Sequence, residues 1–300
     1  MGIVIDELEK SGLLVESEGA KIVDLEKYGM PPCLILRSDG ASLYATRDLA
    51  AAYYRKKEYD FDKCLYVVAY QQNLHFKQFF KVLELLGKPW AKDMVHVAFG
   101  MVSLEEGTMS TRKGKVVFLE DVINKCCEKA LSIINEKNPD LENKEETANA
   151  VGVGAVIFGA LTSSRIKDIV FSYDKVLNFD GETGPYCQYT YARAQSVLKK
   201  GGEIGAYSEN YELNTDEYNL LSLLAEYPEI IKQSAEKYEP SMITRYAVDV
   251  SEAFNKFYFD CKILGEADEV KNFRLALTFA TKTVIKNALS LLGIKAPEKM

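Results

Sequence analysis

Between Gly107 and Gly114 the chain reads Gly-Thr-Met-Ser-Thr-Arg-Lys-Gly, with hydroxyls and two cations enclosed by two glycines. Glycine lets the backbone bend tightly and approach a ligand closely. Hydroxyls and cations are hydrogen-bond donors, and donors on such a loop suit an anionic oxygen, above all phosphate. Two readings stay open for the loop alone: a polyphosphate clamp or a solvated basic turn. Tyr44 and Asp48 are spaced to share one side of a helix's first turn. Asp48 suits a bidentate pair with a guanidinium or ammonium group; equally, it complements a helix dipole. Gln71-Gln72-Asn73 follows an apolar run, where amides can read a ligand or cap a helix. His75 comes next, as a nucleotide contact or a structural histidine, and His96 carries no assigned role. Further on, Tyr186, Tyr189 and Arg193 fall at helical spacing. They form either a stacking platform for unpaired bases or a tyrosine stripe packed on neighbouring helices. Phe254, Phe257 and Tyr258 make a second aromatic cluster of the kind usually found in a core.

The elements that must position these residues change character along the chain. Up to about Ala45 the pattern is short strands and turns. Asp39-Gly40 sits between Cys33–Leu36 and Ser42–Tyr44 as a hairpin signal. Thr46 can cap an alanine-rich helix over Asp48 to Lys57. Lys63–Ala69 reads as a buried strand, Asn73–Leu86 as a helix capped by Asn73 and stopped by Gly87, and Met94–Phe99 as another strand. Strand, helix, strand in this order predicts a right-handed parallel unit of a doubly wound sheet. In such sheets ligands sit beyond the carboxyl ends of the strands, and the Gly107–Gly114 loop follows the second strand closely.

From about Leu119 onward the signals are helical. Apolar stripes cover Val122–Asn135, Thr147–Leu161, Pro185–Lys199, Tyr218–Lys237, Met242–Leu264 and Lys271–Leu292. This predicts a helical bundle. Gly152-x-Gly154 lacks the third glycine and the preceding strand of a dinucleotide motif, so it reads as close helix packing.

Composition sets the bounds. The 300 residues allow two domains, and 47% apolar content allows a real core. Net charge is −7, from 37 basic and 44 acidic residues, and neither half is basic overall. A nucleic-acid partner must therefore meet a local patch. The longest apolar run, Val151–Leu161, is far short of the ~20 residues that span a bilayer. The six cysteines form no Cys-x-x-Cys pair, which predicts no metal site and a reduced, cytoplasmic setting.

Taken in order, several segments resemble the arginyl-tRNA synthetase family. They are Asp39-Gly40-x-x-x-Tyr44-x-Thr46-Arg47-Asp48-Leu49-Ala50-Ala51, then Tyr70–Phe76, Phe99-Gly100-Met101-Val102 and Met109–Val117, with Thr183–Arg193 and Leu291–Ile294 later. The resemblance runs from about Ser38 to Met300. It implies a class I aminoacyl-tRNA synthetase of mixed class, α/β plus all-α. A partial Rossmann-like parallel sheet would occupy residues 1–140 and an α-helical anticodon-binding domain residues 141–300. The family activates L-arginine with ATP, Mg2+ accompanying, and transfers it to tRNA-Arg, with tRNA needed even for activation. No membrane is involved and no oligomer is required.

By motif, the resemblance implies that Asp48 pairs with the substrate guanidinium while Tyr44 and Gln72 complete that pocket. His75, Gly100 and Val102 would meet ATP. Met109, Ser110, Thr111, Arg112 and Lys113 would be the Lys-Met-Ser-Lys-Ser signature, holding the phosphates as pyrophosphate leaves. Tyr186, Tyr189, Arg193 and Tyr258 would meet the anticodon loop. Two departures stand out. Thr108 and Thr111 occupy the signature's two lysine positions, which leaves the charge to Arg112 and Lys113. The other class I signature, His-Ile-Gly-His, does not occur, since the histidines are His75 and His96 alone. The expectation is a C-terminal piece of a family member, inactive by itself. A non-enzymatic tRNA-binding module is the alternative from a different class. The cysteinyl relative is disfavoured, because its zinc needs a thiolate cluster that these cysteines do not offer.

Overall fold

The computed structural model describes residues 1–104 and 118–300. Met109, Ser110, Thr111, Arg112 and Lys113 therefore lie outside the described residues. The chain divides into two compact units, residues 1–100 and 101–300. This packing boundary falls at residue 100, whereas the sequence reading set the domain boundary at residue 140.

The first unit opens with a helix, α1 (Gly2–Lys10), where short strands and turns were expected. Val4 and Leu8, four apart, are its buried face. Three strands follow, β1 (Leu14–Ser17), β2 (Ala20–Val23) and β3 (Cys33–Leu36), paired antiparallel in that order. The Asp39-Gly40 turn is present, with the Gly40 N–H donating to Arg37 O. Its second arm is only a single bridge between Leu36 and Ser42, because α2 (Tyr44–Tyr59) starts at once. Thr46 is accordingly not the cap. It lies inside α2, fully buried, and its hydroxyl donates to Ile35 O of β3. Then come β4 (Cys64–Ala69), α3 (Asn73–Leu85) and β5 (Met94–Phe99). β4 and β5 run parallel, from Cys64 opposite Met94 to Ala69 opposite Phe99, as the strand–helix–strand pattern requires. The parallel sheet among the described residues of this unit has these two strands. Asn73 is the first residue of α3 rather than its cap, since a 3-10 turn over Tyr70–Gln72 already carries the chain into the helix. Leu8, Leu25, Ile35, Leu49, Phe79 and Leu83 fill the core between α1, the antiparallel sheet, α2 and α3.

The second unit holds β6 (Val102–Leu104), α4 (Leu119–Lys137), α5 (Lys144–Leu161), β7 (Ile169–Phe171), α6 (Tyr173–Val176) and α7 (Gly184–Gly201). Three long helices complete it: α8 (Thr215–Lys237), α9 (Ser241–Asp260) and α10 (Asp268–Leu291). The helical expectation holds with two additions, α6 and β7. β7 pairs parallel with β6, Val102 opposite Ile169. α9 stops at Asp260, short of the expected Leu264, and Arg274 Nη1 donates to Lys262 O in the turn beyond. Gly152 marks close packing as predicted: a Cβ there would lie 2.6 Å from Cys127 N of α4. One core joins α5 with α7–α10 around Tyr191, Leu220, Phe254 and Leu275; a second joins α4, α5 and Phe171.

Candidate arginine and nucleic-acid sites

In the first unit the site is built on the opening turn of α2. Leu43 precedes that turn in extended backbone and supplies no side-chain cap. The turn is held instead by the Thr46 hydroxyl on β3 and by the buried side chains of Ala45, Leu49 and Ala52. That anchoring aims the opposite face outward. Tyr44 is 79% exposed and the Asp48 side chain 36% exposed, one turn apart. Asp48 Oδ2 is bonded to His75 Nε2 at 2.7 Å. His75 belongs to the first turn of α3, so the contact joins the two helices. Its ring stacks over Phe79, with centroids 6.2 Å apart and planes within 14°, and meets Phe76 edge-on. Phe76 in turn stacks on His96 at 4.2 Å, and His96 Nε2 donates to Val68 O at 2.9 Å. His96 thus buttresses the ring beside His75.

The structure brings together Asp48 and His75, which the sequence assigned to two different ligands. Gln72 is exposed on the turn directly after β4. Gly100 is buried at the end of the first unit, and Val102 is 43% exposed in β6 of the second. In chemical terms, Asp48 is a half-exposed carboxylate with one oxygen held by an imidazole. Its Oδ1 takes no partner among the described residues, leaving an acceptor for a planar cation.

In the second unit the site stands on α7 and α9. Pro185 at the first turn and the Thr183 hydroxyl, which accepts from Tyr186 N at 3.2 Å, start α7. Its buried face is Cys187, Tyr191 and Ala194, so Tyr186, Tyr189 and Arg193 fall on the other side. Burial pushes the Cys187 thiol up to about 12, which marks it as a packing residue. On α9, Phe254 and Phe257 are fully buried core residues, whereas Tyr258 is 43% exposed and stacks on Phe254. The cluster read from the sequence as one group therefore splits between core and surface. The Arg193 guanidinium lies 4.9 Å from the Tyr189 ring and 5.3 Å from the Tyr258 ring. All three line a cleft of about 670 Å3 together with Lys200, Lys262 and Lys299. Aromatic faces beside cations suit unpaired bases and their phosphates.

Sequence reading missed Asn255 on α9. Its Oδ1 accepts from Arg193 Nη1 at 2.5 Å, and its Nδ2 donates to Tyr186 Oη at 3.0 Å and Thr190 Oγ1 at 2.9 Å. An asparagine between Phe254 and Phe257 on a helix is a polar residue at the edge of an apolar stripe. That was the one available signal.

The profile of tRNA synthetases class I (R), catalytic domain, matches residues 1–173, and that of the DALR anticodon binding domain matches residues 187–300. The arginine–tRNA ligase of Halothermothrix orenii is 58% identical over 99% of this chain and 53% of its own length. That of Clostridioides difficile is 55% identical over 100% of this chain and 53% of its own. The chain thus spans about half the length of these curated relatives. The Thermus thermophilus arginyl-tRNA synthetase structure superposes with a TM-score of 0.92 at 28% identity, covering 100% of this chain and 58% of its own. A catalytic-domain match over the first 173 residues, followed by an anticodon-binding match, shows that the chain belongs to the arginyl class I tRNA synthetase family.

Proposed function

We propose that this chain carries the guanidinium-recognising and anticodon-recognising parts of an arginine–tRNA ligase. The reaction joins ATP, L-arginine and tRNA-Arg to give arginyl-tRNA, AMP and diphosphate. The arginine carboxylate attacks the α-phosphate, diphosphate leaves, and the acyl group passes to the 3′ end of the tRNA. Mg2+ enters with ATP as part of that substrate. In this reading Asp48 receives the substrate guanidinium through the oxygen that His75 leaves open. The ring of Tyr44 and the amide of Gln72 flank it. A carboxylate acceptor selects a planar cation over a neutral side chain. His75, Gly100 and Val102 serve the nucleotide, and Met109–Lys113 hold its phosphates. Tyr186, Tyr189, Arg193 and Tyr258 meet the anticodon loop. The protein works in the cytoplasm.

One observation carries the reading: Arg193 is set between the Tyr189 and Tyr258 rings beside a lysine-lined cleft. That arrangement offers stacking and charge together to a single-stranded loop. The test is binding of a tRNA-Arg transcript to this chain across a salt series. The logarithm of affinity falls linearly with the logarithm of salt, and replacing Arg193 by alanine lowers the slope by about 1 if its cation meets a phosphate. No binding at low salt overturns the proposal.

A further inference from the structure

We infer that Asn255 is the positioning residue of the α7–α9 face. It holds Arg193 between the two tyrosine rings and turns the Tyr186 hydroxyl outward as a donor. The inference rests on the anticodon reading above and extends it to what the face selects: an unpaired base whose edge presents hydrogen-bond acceptors.

The argument is one of donors and acceptors. A guanidinium donates and cannot accept. The bond from Arg193 Nη1 therefore fixes the Asn255 oxygen on that side. The amide nitrogen then faces the other two partners and donates to Tyr186 Oη and Thr190 Oγ1. Both hydroxyls must accept there. Thr190 uses its own proton on the Tyr186 carbonyl, one turn back, at 2.9 Å. The Tyr186 proton has no acceptor among the described residues, so it points away from Asn255. Burial raises the Tyr186 hydroxyl above its usual range, which keeps that proton on the oxygen at neutral pH. Asn255 is thereby saturated, with both amide hydrogens and its oxygen in use. The face it organises displays the Tyr186 O–H, the remaining Arg193 N–H groups and two ring surfaces. Rings hold any base by stacking; a set of donors discriminates in favour of acceptors.

Two variants separate positioning from packing. Asn255→Asp keeps the size and the acceptor for Arg193. Its second oxygen can only accept, so the Tyr186 proton turns inward to it, while the Thr190 proton stays on the Tyr186 carbonyl. Asn255→Ala releases Arg193 as well. The probes are tRNA-Arg transcripts in which each anticodon-loop base is changed in turn, titrated into this chain. The native chain is expected to lose about tenfold in affinity for at least one changed transcript. Asn255→Asp binds the unchanged transcript but loses that discrimination, and Asn255→Ala loses both. Discrimination by Asn255→Asp equal to that of the native chain overturns the inference. A second readout needs no RNA: the Arg193 Nε–Hε cross-peak in a nitrogen–proton correlation spectrum. It is expected sharp in the native chain and in Asn255→Asp, and broadened in Asn255→Ala. An unchanged peak in Asn255→Ala overturns the positioning role. Absence of tRNA binding by the native chain counts against the proposed function, while this spectrum still decides whether Asn255 holds Arg193.

Discussion

At the scale of single residues, the candidate arginine site depends on one hydroxyl that makes no contact with a substrate. Thr46 ties the first turn of α2 to β3 through Ile35 O, with both ends fully buried. Thr46→Val preserves shape and leaves that carbonyl without a donor. The expected loss is about 1–3 kcal/mol of stability, read as a lower midpoint in urea at unchanged slope. An unchanged midpoint means the carbonyl finds another donor. The sequence made the Tyr44–Asp48 pair legible, because helical spacing alone puts those side chains on one face. It did not show that His75, 27 positions later, would bond Asp48. Contacts across such a separation are set by how α2 and α3 pack, and no local pattern encodes them. His96 was opaque for the same reason: a histidine in mid-strand declares a role only once Phe76 is seen stacked on it. Thr46 was misjudged because a threonine before an alanine-rich run is the usual sign of a cap, whereas here Leu43 ends the extended backbone.

At the scale of elements, two contacts make quantitative demands. α1 is joined to α2 and to the segment after α3 by Glu7, which accepts from Tyr53 Oη at 2.7 Å and from Lys88 Nζ at 2.5 Å. Lys88 above all holds the Glu7 carboxyl below its ordinary value, with Tyr53 assisting. A carboxyl depressed in the folded state adds stability that is complete above the ordinary glutamate range of about 4.3. That stability disappears as pH falls through the lower folded value. The melting temperatures of the native chain and of Glu7→Gln should therefore differ at pH 7 and converge as the pH drops below about 4. A gap that persists into acid would show that Glu7 acts by packing rather than charge.

The second contact is Gly152. Alanine in place of a mid-helix glycine ordinarily stabilises by about 0.5–1 kcal/mol. Here the added methyl would meet the Cys127 backbone on α4, which cannot step aside as a side chain could. Gly152→Ala is expected to destabilise by about 1–3 kcal/mol by overpacking, and the sign of the change in melting temperature decides the matter. The long helices were legible from their apolar periods, and Gly152-x-Gly154 from what it lacked. α1 escaped notice behind a run of short-strand signals, and β7 because a three-residue strand carries no period of its own.

At the scale of the whole molecule, the proposed function puts two recognitions in one chain. The proposed function assigns a guanidinium to Asp48 in the first unit and an RNA loop to Arg193 and its tyrosines in the second. The catalytic profile matches residues 1–173, past the end of the first unit, and the anticodon-binding profile matches residues 187–300. Composition alone did not announce the second recognition, because an acidic chain of net charge −7 hides a local cleft with three lysines. The most direct measurement is the pair of Michaelis constants for arginine and for tRNA-Arg in the proposed arginine–tRNA ligase, taken for Asp48→Asn and Tyr189→Ala side by side. Asp48→Asn should raise the constant for arginine by the equivalent of about 2–5 kcal/mol and leave that for tRNA unchanged. Tyr189→Ala should raise the constant for tRNA by the equivalent of about 1–3 kcal/mol and leave that for arginine unchanged. An arginine constant indifferent to Asp48→Asn, or two variants that shift both constants together, would contradict the division of labour proposed for the two units.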